Sequence, residues 1–79
     1  MPPQQTPRIL IVDDDPVITQ LIAVMLQKKN YNVVKKLASG EEAVLKSPEL
    51  SPDLILMDLR LSGALDGVTT AFYIFQLYR

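Results

Sequence analysis

Two apolar runs in this sequence end in aspartate. Ile9-Leu10-Ile11-Val12 is followed by Asp13-Asp14-Asp15, and Leu54-Ile55-Leu56-Met57 by Asp58. Short, continuous, β-branched-rich runs of this kind read as strands buried on both faces, as in parallel sheets. In open parallel sheets, sites collect outside the carboxyl ends of the strands, and here those ends are acidic. If the two strands lie side by side, about 4.8 Å apart, Asp13, Asp14 and Asp58 converge. Carboxylates held so close repel, and a hard divalent cation relieves this; Mg²⁺ suits one or two carboxylates plus waters. A carboxylate beside such a cation can also act as a nucleophile toward phosphorus, the metal neutralising charge that develops on the phosphate oxygens. The plainer reading is that Asp13 to Asp15 cap a helix and Asp58 begins a loop. Capping alone does not require apolar strands to end in acid twice.

The elements that must position these acids follow from the rest of the pattern. Asp15-Pro16 opens a helix: Asp15 can accept from free backbone N–H groups, Pro16 sits where its missing N–H costs nothing, and Ile18, Leu21, Ile22 and Met25 recur at three and four residues. The helix runs to about Lys28, and Asn30 begins a turn into a second strand, Asn32 to Leu37. Ser39 and Glu42 form a capping box ahead of a short second helix that Pro48 and Pro52 are expected to bound. After the strand at residues 54–57, a loop from Ser62 to Gly67 leads into a last helix from Val68 to the C-terminus. Alternating strands and helices imply an α/β fold in three layers: a three-stranded parallel sheet with flanking helices and right-handed crossovers. Residues 1–7 hold three of the six prolines and no apolar periodicity, and are expected to form a flexible arm before a domain at 8–79.

At these residues the sequence resembles the receiver domains of two-component response regulators. Asp13-Asp14 after the first strand looks like the family's acidic pair, and Asp58 after Leu-Ile-Leu-Met like its phosphoaccepting aspartate. Ser39-Gly40-Glu41-Glu42-Ala43 and Leu65-Asp66-Gly67-Val68 resemble its second- and third-helix starts. The resemblance implies a flavodoxin-like sheet with strand order 2-1-3 and phosphoryl transfer from a histidine kinase or phosphotransfer protein to Asp58. It also implies Mg²⁺ held by Asp14 and Asp58, by Asp13 largely through water, and by the backbone carbonyl of Arg60. The sequence departs from the family at Ser62, where proline is frequent, and in a loop one residue longer than the commonest form. A receiver continues through two more strands bearing a hydroxyl and a lysine that touch the phosphoryl group, so the expectation is a C-terminally truncated receiver with impaired switching. Lys35 and Lys36 match nothing in the family's site.

Composition narrows the partners. The 79 residues carry a net charge of −1 and no cysteine. Without a broad cationic face, Lys28, Lys29, Lys35 and Lys36 read as solvated lysines, and nucleic-acid binding is not expected. No apolar run approaches the ~20 residues of a membrane span, and the start has neither region of a secretory signal, so a cytoplasmic, membrane-free protein is expected. Strand 54–57 would be an apolar sheet edge open to another chain. Helix 68–79 is apolar over a wide arc, through Phe72, Tyr73, Ile74, Phe75, Leu77 and Tyr78. The two features together point to a homodimer in which strands 54–57 pair across a two-fold axis; aromatic residues filling a local core is the competing reading. The function expected is a non-enzymatic phosphoacceptor module. The alternative is a degenerate receiver that associates with itself or a partner without phosphotransfer. A third reading, the Asp-x-Asp-x-Val nucleophile loop of haloacid-dehalogenase-like phosphatases at Asp13 to Val17, leaves Asp58 unexplained.

Overall fold

The computed structural model describes residues 6–61, 63 and 65–78, with 76–78 by backbone alone. Its elements alternate: β1 (Arg8–Val12), α1 (Pro16–Lys28), β2 (Asn32–Leu37), α2 (Gly40–Leu50), β3 (Leu54–Met57) and α3 (Gly67–Tyr78). The three strands form one parallel sheet in the order β2-β1-β3. The apolar run of β1 lies in the middle, and Ile9, Leu10, Ile11 and Val12 are all buried. Alternation along β1 sends Leu10 and Val12 to one face with Leu37, Ala43, Ile55, Met57 and Ile74, and Ile9 and Ile11 to the other with Ala23, Ile22, Leu26 and Leu56. Helices α2 and α3 cover the first face and α1 the second, giving three layers.

Local chemistry explains where each helix starts. The Asp15 carboxylate accepts from the N–H groups of Val17 at 2.9 Å and Ile18 at 3.4 Å, with Pro16 in the first turn. Ser39 Oγ accepts from Glu42 N–H at 3.2 Å, the N-cap bond, and donates its own hydroxyl to the Glu42 carboxylate at 3.3 Å. After α1 the chain turns through Asn30, whose φ of 67° suits an asparagine better than a branched residue.

The bounds of three elements differ from the sequence reading. α2 passes through Pro48 and ends at Leu50. Pro48 lies in its last turn, where its missing N–H removes one helical donor, and Ser47, buried, donates its hydroxyl to the Ala43 carbonyl. α3 begins one residue early, at Gly67. β1 gains Arg8, whose guanidinium donates to the carbonyls of Leu50 at 2.6 Å and Ser51 at 3.3 Å, placing a cation on the C-terminus of α2. The carbonyl of Pro7 accepts from Asn32 N–H at 2.9 Å, so the ordered sheet contacts begin just before Arg8. Residues 1–5, the Ser62 position and the side chains of Leu77 and Tyr78 lie outside the described residues.

Candidate functional site

β1 and β3 are hydrogen-bonded neighbours, with Val12 opposite Met57. The acids that follow them are therefore side by side. Asp13 is tied to β2 through its N–H to the Leu37 carbonyl at 3.0 Å, and Asp58 to β1 through its N–H to the Val12 carbonyl at 2.9 Å. One carboxylate oxygen from each of Asp13, Asp14 and Asp58 lies within 4.8 Å of the others. Asp13 and Asp58 are half-buried and Asp14 exposed.

Backbone donors orient two of the three. Asp13 Oδ1 accepts from Asp15 N–H at 2.9 Å, and Asp58 Oδ1 accepts from Arg60 N–H at 3.2 Å. Each bond holds a carboxylate over its own turn and leaves the second oxygen to other contacts. The donor set is all oxygen and anionic, which suits a hard divalent cation and gives a soft metal no ligand of its preference. Arg60 lies two residues beyond Asp58 in an exposed loop. The floor is supplied from α3: a Cβ on Gly67 would overlap the backbone carbonyl of Asp58 and lie 2.8 Å from Leu59 Cα, and Gly67 N–H donates to the Leu59 carbonyl at 3.1 Å.

Two shallow depressions flank the cluster and share Asp13. One, of ≈ 320 Å³, is lined by Val12, Met57 and Asp58, and the other, of ≈ 310 Å³, by Asp14, Thr19 and Lys36. Lys36 thus borders the acids, although its ammonium donates to Gln20 at 2.9 Å. Sequence reasoning did not bring it there, because proximity across the β1–β2 register is invisible from spacing. Nor did it find Gly67 as the support beneath Asp58. A cavity of ≈ 560 Å³, lined by Pro48, Leu54, Ile55 and Phe75 among others, lies at the opposite end of β3.

Comparison with known proteins bears on this arrangement. The family model for the response regulator receiver domain matches residues 9–78. The chain is 40% identical over 70 residues to the chemotaxis protein CheY of Bacillus subtilis, covering 89% of this chain and 58% of that protein. It is 41% identical over 63 residues to the DNA-binding dual master transcriptional regulator RpaA of Synechocystis, covering 80% of this chain and 25% of that one. Among solved structures, the N-terminal domain of a response regulator/sensory box/GGDEF three-domain protein from Carboxydothermus hydrogenoformans superposes with a TM-score of 0.84 at 44% identity, covering 91% of this chain and 58% of the other. The chain therefore spans between a quarter and somewhat over half of these relatives. With a parallel 2-1-3 sheet, two acid-tipped strands and a family match over nearly its whole length, the chain belongs to the response regulator receiver domains of two-component signalling.

Proposed function

We propose that this chain is a phosphoacceptor module in which Asp58 takes a phosphoryl group from a histidine kinase or phosphotransfer protein. The observation that carries the reading is the convergence of Asp13, Asp14 and Asp58 at the ends of two adjacent strands. Asp14, Asp58 and the backbone carbonyl of Arg60 would hold Mg²⁺ directly and Asp13 largely through water. The bound ion supplies charge neutralisation at the phosphoryl oxygens. In the transfer, the Asp58 carboxylate oxygen forms the new bond to phosphorus as the bond to the donor nitrogen breaks. The products are an acyl phosphate and the unphosphorylated donor, so the chain acts as acceptor rather than as an enzyme with a released product. Asp13 and Asp14 orient the site without joining that bond.

Incubation with phosphoramidate or acetyl phosphate and Mg²⁺, followed by peptide mapping in a mass spectrometer, tests the assignment. One phosphoryl group is expected, on Asp58, lost in Asp58→Asn and on chelation of Mg²⁺. Labelling that persists in Asp58→Asn would remove Asp58 as the acceptor. A second reading, an interaction module without phosphotransfer, is favoured by the exposed aromatic residues of α3, Phe72 and Phe75.

A further inference from the structure

The register of β2 against β1 decides which lysine reaches the acids. Ile9 pairs with Val33, but Leu10, Ile11 and Val12 pair with Lys35, Lys36 and Leu37, because the register shifts between Ile9 and Leu10. Successive residues of a strand alternate faces, so without the shift Lys35 would stand beside Ile11 and Lys36 beside Val12. The shift reverses them. Leu37 joins Val12 in the core beneath α2 and α3, and Lys36 stands with Ile11 on the face that α1 covers. Irregularities of this kind re-aim side chains beside functional sites.

On that face Lys36 is at the acidic end of the sheet. The next residue, Leu37, accepts at its carbonyl from Asp13 N–H at 3.0 Å, and Lys36 lines one depression together with Asp13, Asp14 and Thr19. Its ammonium donates to Gln20 Oε1 of α1 at 2.9 Å. Gln20 is neutral, so the bond directs the ammonium without cancelling its charge. Lys35, equally exposed, pairs with Leu10 on the opposite face and takes no part in lining that depression.

We propose that Lys36 is a charge-selecting residue of the acidic site: its ammonium weakens the hold of the aspartates on a divalent cation and draws doubly charged phosphodonors in preference to singly charged ones. The donor half rests on the phosphoacceptor reading of Asp58, whereas the cation half requires only that Asp13, Asp14 and Asp58 bind a metal ion. Opposite signs follow from one charge. Three carboxylates repel an anionic donor, and a lysine at their border offsets part of that repulsion in proportion to the donor's charge. The same field opposes the arrival of Mg²⁺. Because Lys36 is exposed, the effect is modest and fades as salt is added.

The test compares the wild-type chain with Lys36→Gln, Lys36→Arg and Lys35→Gln. Lys35→Gln removes the same charge from the opposite face and so measures the effect of net charge alone. Mg²⁺ affinity is read by NMR titration with no phosphodonor present. Labelling of Asp58 is read as a second-order rate constant at saturating Mg²⁺, with acetyl phosphate, a dianion at neutral pH, and with phosphoramidate, a monoanion. At low ionic strength Lys36→Gln should bind Mg²⁺ about two- to fourfold more tightly and react with acetyl phosphate about two- to fourfold more slowly, with a smaller loss for phosphoramidate. Both differences from wild type should vanish in about 1 M salt, where the screening length is about 3 Å. Lys36→Arg and Lys35→Gln should behave as wild type. A Lys36→Gln chain that matches Lys35→Gln in Mg²⁺ affinity, or one whose metal and donor constants both weaken regardless of salt, would overturn the proposal. A wild-type chain that binds Mg²⁺ but is never labelled at Asp58 would overturn the phosphoacceptor reading and the donor half with it, and the Mg²⁺ comparison would then decide the role of Lys36 by itself.

Discussion

At Asp66 the carboxylate accepts from the backbone N–H of Thr69 at 2.8 Å, and its carbonyl accepts from the Thr70 hydroxyl at 2.7 Å. The bond from Thr69 N–H is the main cause holding the Asp66 carboxyl below its ordinary value of 3.8, with further help from the Thr69 side chain and Val68 N–H against a small opposing effect of burial. The folded value lies under the unfolded one. This cap's contribution is therefore complete above pH 3.8 and lost as the pH falls through the depressed folded value. A carbon-detected NMR titration should place the Asp66 midpoint below 3.8, and Asp66→Asn should flatten the acid limb of α3 melting. At the start of α1, Asp15→Ala should cost about 1 kcal/mol in urea unfolding, because two N–H groups lose their acceptor. Asp15 and Ser39 were legible in the sequence because each stands directly before a clear apolar period. Asp66 was legible only through family resemblance: it lies between Leu65 and Gly67, in a stretch whose composition reads as loop.

The join between α3 and the rest of the fold rests on two glycines with different consequences. A Cβ on Gly40 would overlap the Thr70 hydroxyl and sit 3.1 Å from Leu65, at the α2–α3 contact. A Cβ on Gly67 would collide with the backbone of Asp58 itself. Gly40→Ala and Gly67→Ala should each lower stability by about 1–3 kcal/mol through overpacking. Only Gly67→Ala should also displace Asp58, so phosphorylation by phosphoramidate should fall several-fold in that variant under conditions where both remain folded. Equal loss in the two variants would mean that α3 supports the site only through global stability. The spacing of elements was readable because hydrophobic period changes from two to about 3.6 at recognisable caps. The close approach of Gly67 to Asp58 was not, since it joins the start of one helix to the end of a strand across the intervening loop. Pro48 is a weaker boundary than its residue type suggests: the hydroxyl of Ser47 and the guanidinium of Arg8 bond carbonyls near the end of α2, which continues to Leu50.

Among the described residues the buried apolar side chains are few: β1 supplies four, and Ala23, Leu37 and Ala43 complete them. Large apolar side chains on α1 and α3 remain exposed, among them Val17, Leu21, Met25, Phe72 and Phe75. The α/β class and the parallel sheet could be read from the sequence, because strands buried on both faces leave uninterrupted apolar runs. The 2-1-3 order came with the family resemblance. The irregularity in the β1–β2 register between Ile9 and Leu10 left no such trace in the residue types. Residues brought together from two strands are proposed to act as one cation-dependent acidic site. Mg²⁺ titration followed by amide and carboxyl NMR tests it most directly. The expected result is a saturable response confined to residues 13–15 and 58–60, abolished in Asp14→Asn without loss of fold. A response absent at Asp58, or unchanged in Asp14→Asn, would contradict the claim.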